Sequence, residues 1–346
     1  MAKSDRERFA AEELAICLSH YDLGIITTLQ EFARGSRKAP KMVIECQKVK
    51  FLFKRRVRGR DDVAKVAFTH EIQLSLAAQS FPLPHLVGTR DSNNSMLVLG
   101  GSIYEMFEFI SGTPYDASLD ATSDAGRILG IYHKLLVDWH GDYAPPTGSY
   151  HNARAIHQAI RNTISSLPME NRPSADELTT TVQAVEQAYI YCSQKCNELG
   201  LEKWQPQIVH GDWHPGNMLF RDKHVAAVID YDAARLQPRV IDFANGALQF
   251  SILGGGADAA SWPDYIDQSR FKRFMRGYDS VNVITKAELK AVPYLMCEAM
   301  IAEAVLPIAA TGSFGRFSGF SFLQMIDRKV KWILKHMDQL TGVLEE

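Results

Sequence analysis

Ile208-Val-His-Gly-Asp212-Trp-His-Pro-Gly-Asn217-Met-Leu-Phe220, then Arg221-Asp-Lys-His224, then Val225-Ala-Ala-Val-Ile-Asp230-Tyr-Asp232, is the stretch on which the reading of this chain turns. Ile208-Val209 is apolar and β-branched and ends a strand. Pro215-Gly216 rules out a helix through the next segment. Met218–Phe220 and Val225–Ile229 are short apolar runs either side of a polar turn, a hairpin pattern. A buried hairpin has no need of Asp212, Asn217, Asp230 and Asp232, yet these polar residues sit at its edges.

Phosphoryl transfer asks for such a set. One carboxylate orients the acceptor hydroxyl and takes its proton, while an amide and a further carboxylate hold Mg²⁺ against the nucleotide phosphates. Asp212 is the candidate base, and Asn217 and Asp230 are the candidate metal ligands. Read singly, each is also an ordinary turn residue. The alternation His210, Asp212, His214 offers a rival, a zinc or iron half-site of a metal-dependent hydrolase. That reading leaves Asn217 and the Asp230/Asp232 pair without a task.

The block HGDWHPGN followed by VIDYD resembles the catalytic and metal-binding segments of the aminoglycoside phosphotransferase and choline kinase family. It looks closest to the branch of type II homoserine kinases and CotS-like spore-coat proteins. The resemblance implies an α+β, two-lobe protein-kinase-like fold. Residues 1–110 would form an antiparallel sheet lobe with one key helix that binds nucleotide. Residues 111–346 would form a mainly helical lobe that carries catalysis and the acceptor. It further implies transfer of the γ-phosphate of ATP, with GTP as an alternative donor and Mg²⁺ as cofactor. The acceptor would be a hydroxyl of a small molecule: an amino alcohol, amino acid, sugar or aminoglycoside.

The same resemblance assigns roles in the amino-terminal part. A strand-turn-strand over residues 23–46 would cover the phosphates, with Gly35 and Ser36 its only cradling residues; G-x-G-x-x-G is absent. That departure keeps open a protein that binds nucleotide without turnover. In the next strand, KVKFLFKRR, Phe51 and Phe53 point one way and Leu52 and Lys54 the other. Lys54 stands where the family carries its nucleotide lysine, and Glu71, in the helical stretch HEIQLSLAAQ, is the carboxylate expected to hold it. Glu108, Phe109 and Ile110 leave the last strand of this lobe where main-chain groups would meet the adenine edge.

Beyond the linker, helices are expected over 124–137 (capped by Ser123 or Asp124), 153–166, 175–199, 240–253, 265–278, 286–310 with bends at Pro293 and Pro307, and 320–340. His133 reads as a packed residue and Asp242 as a brace for the catalytic loop. Asp232 is a secondary metal contact or a partner for Arg235. Trp262, Tyr265, Tyr294, Glu298 and Glu303 are the residues of the helical tail that would recognise a polar acceptor. Only eleven residues separate Asp230 from Asp242, too few for the activation segment of a regulated protein kinase.

Composition agrees with a soluble enzyme. A net charge of −2 gives no electrostatic case for nucleic acid or an anionic membrane. No run in the sequence reads as a signal peptide or a membrane span, and five scattered cysteines fit a reducing cytoplasm.

Overall fold

The computed structural model describes residues 6–47, 49–167 and 174–342. The first helix, α1 (Ala11–Ser19), buries Leu14, Cys17 and Leu18. Five antiparallel strands follow or flank it: β1 (Ile26–Glu31), β2 (Lys41–Cys46), β3 (Val49–Arg55), β4 (Leu97–Leu99) and β5 (Ser102–Glu108). Their order in the sheet is β1-β2-β3-β5-β4. Period-two alternation decides which side chains meet. Met42, Ile44, Phe53, Tyr104 and Met106 point to the α1 side and form a core with Leu14, Cys17, Leu18 and Tyr21. Lys54 and Glu105 pair directly across β3 and β5, on the opposite face. That face is covered by α2 (Val63–Ala78), capped by Asp62 accepting from Lys65 N at 2.9 Å.

The rest is mainly helical. In chain order it contains α3 (Leu119–Leu135), α4 (Arg154–Ser166), α5 (Ala175–Glu198), β6 (Pro206–Val209), β7 (Met218–Arg221), β8 (His224–Val228) and β9 (Arg235–Pro238). Then come α6 (Arg239–Ser251), α7 (Gln268–Asp279), α8 (Lys286–Thr311), the two-residue strands β10 (Ser313–Phe314) and β11 (Phe317–Ser318), α9 (Gly319–Lys335) and α10 (Met337–Gly342). The expected hairpin is β7–β8, and β6 pairs with β9, a strand the sequence reading missed. The cap of α3 is Ser118, accepting from Ala121 N, five residues before the expected one. Asp124 instead lies inside the helix, buried, where it accepts from Val225 N at 2.7 Å and ties α3 to the hairpin.

Helices α3 and α7 touch backbone to backbone. A Cβ on Gly126 would collide with the Phe274 carbonyl, and one on Gly277 with that of Ser123. Helix α8 runs unbroken through Pro293 and Pro307, where bends were expected. By length and composition it could cross a bilayer, a run that the sequence reading did not single out. Here it is the central core helix, with Leu295, Met296, Cys297, Ile301 and Val305 fully buried.

Candidate active site

Strand β6 delivers the chain into the catalytic loop. Gly211 adopts a φ of +76°, and a Cβ there would strike the Ala233 carbonyl, so this turn admits only glycine. Asp242, in the first turn of α6 and 1 % exposed, accepts from His210 N at 3.0 Å, Gly211 N at 2.9 Å and His133 Nε2 at 3.1 Å. The Tyr278 hydroxyl holds the other His133 nitrogen at 2.9 Å. Asp242 therefore braces the loop, as the sequence reading expected, and His133, expected only to be packed, is its buried partner.

The loop then presents Asp212. Asn217 Nδ2 donates to Asp212 Oδ2 at 2.8 Å and to its carbonyl at 3.0 Å. Both acceptors are oxygens, so the amide nitrogen faces Asp212 and the Asn217 Oδ1 is left uncommitted. Burial pushes the Asp212 carboxyl upward, but His214, His210 and the Asn217 amide outweigh it and hold it below its usual value. Asp212 is thus ionised at neutral pH. The Asn217 carbonyl accepts from Ile229 N at 2.9 Å, which brings the end of β8, and Asp230 with it, beside the loop. Asp230 takes a left-handed backbone (φ 65°, ψ 74°), a conformation a β-branched or bulky residue would not tolerate. Its carboxylate is exposed and has no hydrogen-bond or ion-pair partner among the described residues. One amide oxygen and one free carboxylate form a hard-oxygen donor set, which fits Mg²⁺ or Ca²⁺.

The His210/Asp212/His214 half-site does not assemble. His210 is fully buried among Tyr132, Trp213 and Tyr231, with Nε2 turned to the Ile229 carbonyl at 3.3 Å. His214 Nδ1 accepts from Gly216 N at 2.9 Å, so its proton sits on Nε2, 3.4 Å from Asp212 Oδ2. His214 turns an N–H, not a lone pair, toward Asp212, and these three residues are not among the described side chains whose ligand atoms converge.

On the sheet side, Lys54 Nζ lies 3.1 Å from Glu105 Oε2, an ion pair not aligned as a hydrogen bond. The expected partner, Glu71, is elsewhere. It accepts from Asp142 N and Tyr143 N at 3.1 and 3.4 Å. Neighbouring positions on a helix point about 100° apart. On α2 it is His70 that faces the sheet, with Nε2 2.8 Å from Glu105 Oε1. Arg56 closes the cluster, reaching Glu105 Oε1 and Asp232 Oδ1 at 2.9 Å each. Asp232 therefore pairs with Arg56, not Arg235. Burial raises the Glu105 carboxyl, but Lys54, His70 and Arg56 together hold it well below the usual range. The sequence signal for Glu105 was a lone acid inside an apolar strand. A buried carboxylate needs partners, and only the β3–β5 register shows which.

Ser36 Oγ accepts from Lys38 N at 3.2 Å, and the carbonyls of Ala33 and Ser36 are held by Arg6 at 2.8 and 3.2 Å. A second lysine, Lys41, was missed. It faces Lys54 across β2–β3 and its Nζ fills the space beside Gly35. Among the described residues its only polar contact is the Arg34 carbonyl at 3.4 Å. Burial and Lys54 push its ammonium pKa down, and Asp230 and Asp232 partly offset them. At the linker, the Glu108 and Phe109 N–H groups are already bound by the His85 and Lys50 carbonyls at 2.8 and 2.9 Å. The Ile110 N–H has no partner among the described residues. Gly112 lets the linker lie against the hairpin, since a Cβ there would come within 2.9 Å of Leu219 Cβ and 3.0 Å of the Phe220 carbonyl.

Asp212 opens on a cavity of about 350 Å³ between the catalytic loop, α6 and α8. Of the five tail residues expected to meet the acceptor, only Glu303 lines it. Trp262 packs on Phe317 and Phe322, Tyr265 on Trp332, and Tyr294 on Tyr191. Glu298 is fully buried, accepting from Ser193 Oγ at 2.9 Å and Asn152 N at 3.1 Å and pairing with His151 Nδ1 at 3.0 Å. His151 Nε2 meets Asn197 Oδ1 at 2.9 Å. Burial lowers the His151 pKa, but the hydrogen bonds to Glu298 and Asn197 and the Glu298 charge outweigh it and raise it. His151, Cys196 and Glu298 converge, with both His151 ring nitrogens already hydrogen-bonded to protein side chains.

The profile of the phosphotransferase enzyme family described as APH matches residues 28–282, and the chain belongs to that family. Among solved structures it is similar to the aminoglycoside phosphotransferase of Alicyclobacillus acidocaldarius subsp. acidocaldarius DSM 446. The TM-score is 0.67 at 18 % identity, covering 94 % of this chain and 96 % of that one. A microcompartment-associated aminopropanol kinase gives 0.70 at 13 % identity, covering 96 % and 99 %. The amicoumacin kinase hAmiN, in complex with AMP-PNP, Ca²⁺ and Ami, gives 0.67 at 13 %, covering 94 % of each. At these identities the likeness is one of fold: an antiparallel sheet followed by a mainly helical part.

Proposed function

We propose that this member of the phosphotransferase family moves the γ-phosphate of ATP, or of GTP as an alternative donor, to a hydroxyl of a small molecule. The observation that carries the reading is the joint placement of Asp212, Asn217 and Asp230 around one loop that opens on a cavity. Residues 1–110 would hold the nucleotide and residues 111–346 the acceptor. Lys54, held by Glu105, and Lys41 neutralise phosphate charge, and the unpaired Ile110 N–H is the donor available to the base. Asp212 accepts the acceptor's hydroxyl proton as the new P–O bond forms. The bond from the γ-phosphorus to the β-phosphate oxygen breaks, and ADP carries that oxygen away. Asn217 Oδ1 and Asp230 would hold Mg²⁺, which supplies charge stabilisation between the phosphates. The residues contribute position and field and form no covalent intermediate.

The test is thermal unfolding of wild type and Asp230→Ala with ATP, GTP and Mg²⁺, singly and combined. A Mg²⁺-dependent rise in Tm with nucleotide, lost in the variant, is expected, since ligand binding to the native state stabilises by mass action. No rise at millimolar nucleotide would sink the reading.

A further inference from the structure

Two opposite charges line the acceptor cavity without meeting each other. Glu303 projects from α8 and receives one neutral hydrogen bond, from Gln249 Nε2 at 2.6 Å. Arg235 enters from β9 and spends its Nε on the Ala233 carbonyl at 2.8 Å, which leaves its terminal nitrogens unbound. Neither has an ion-pair partner within 4 Å among the described residues. The other acids of the cavity are committed: Asp242 holds the loop, and Asp212 is engaged by Asn217 and His214. Asn245, 6 % exposed, also lines the cavity, and its Oδ1 has no partner.

On the reading that Asp212 receives the acceptor's hydroxyl, we propose that the acceptor is a compact zwitterion, with a cationic amine against Glu303 and an anionic group such as a carboxylate against Arg235. A purely cationic amino alcohol would satisfy Glu303 and leave Arg235 unmatched. A neutral polyol would match neither. The volume lies at the low end for small-ligand sites, which favours a short carbon chain over a multi-ring acceptor. Glu303 is exposed at the cavity. Partial desolvation and the nearby Asp212 push its carboxyl up, while the Gln249 amide and His214 oppose the rise. A bound ammonium favours its charged form.

The experiment compares two matched series as acceptors with saturating Mg²⁺-ATP, following ADP release. The first is L-homoserine, 3-aminopropan-1-ol and 4-hydroxybutanoate; the second is L-serine, ethanolamine and 3-hydroxypropanoate. Each series holds one zwitterion, its amine-only form and its carboxylate-only form. In at least one series the zwitterion should exceed both single-charge forms by about tenfold or more in kcat/KM, since a charged hydrogen bond is gained at each end. Glu303→Gln should cut the advantage over the hydroxy acid, and Arg235→Met the advantage over the amine, with nucleotide affinity by calorimetry unchanged in both. A single-charge form equalling the zwitterion in both series, or turnover of none of the six while Mg²⁺-ATP binds, overturns the inference and leaves the kinase reading standing. Failure of Mg²⁺-ATP to bind removes both.

Discussion

Asp242 and Glu303 border the same cavity and are treated in opposite ways. Asp242 receives two backbone N–H groups and a histidine, while Glu303 receives one side-chain amide. A buried carboxylate with three donors is a structural element whose charge is fully compensated. A carboxylate exposed at a cavity with one neutral protein donor keeps its remaining hydrogen-bonding capacity open to solvent or a ligand. The same contrast recurs beside the sheet. Glu105 is surrounded by Lys54, Arg56 and His70, whereas Lys41 and Asp230 have no ionic partner among the described residues. Saturated charges mark the frame of this molecule, and unsaturated ones mark where ligands are expected.

The contrast can be broken deliberately. The largest effect should come from Asp212→Ala, which removes the proton acceptor while leaving the scaffold intact. Transfer should fall by about 10²–10⁴ in kcat, with Mg²⁺-ATP affinity by calorimetry within a few-fold of wild type. Next is Glu105→Gln, which leaves two cations facing a neutral amide. Removing one partner of a buried ionic cluster costs about 3–5 kcal/mol, read from denaturant unfolding. The pH sign follows. Glu105 is held below its ordinary value, so its contribution is fully present above that value, 4.5, and is lost as pH falls towards the folded one. Wild-type stability should therefore drop between about pH 5 and 3, and the drop should be smaller in the variant.

Asp242→Asn should cost less, about 1–3 kcal/mol, because one oxygen remains while a donor now faces the N–H groups of His210 and Gly211. Transfer should fall while nucleotide affinity holds. The smallest effect is expected for Lys41→Ala. ATP affinity should weaken about tenfold, a loss of about 1.4 kcal/mol, and adenosine affinity should not change. An equal loss for both ligands would return Lys41 to the frame.

How far the sequence could be read follows the range of the contacts. Asp212, Asn217 and Asp230 lie within nineteen residues of one another, and turn chemistry plus a hairpin pattern suffices to gather them. Asp242 reaches His210 and Gly211 from more than thirty residues away, and its reading as a brace came from the family resemblance, not from local pattern. Glu105 was not, because its partners Lys54, Arg56 and His70 come from another strand and a helix, and register is invisible without pairing. Glu71 was chosen on helix membership alone, one position from the residue that faces the sheet. In the tail, Trp262 packs on Phe317 and Phe322 and the half-exposed Tyr265 lies against Trp332, and neither lines the cavity at Asp212. Glu303 was distinguishable from Glu298 only by the direction each takes from α8.

The bond from Arg56 to Asp232 joins residues 176 apart, one from the sheet and one from the segment after β8. Any parting of these two regions must break it, yet Arg56 keeps its second carboxylate on Glu105 when it does. Asp232 is about one-third exposed, so the attraction is screened and the cost of release is of order 1 kcal/mol. That shifts an open–closed equilibrium roughly fivefold. The bridge is a clasp rather than a lock: enough to bias the resting shape, too little to fix it.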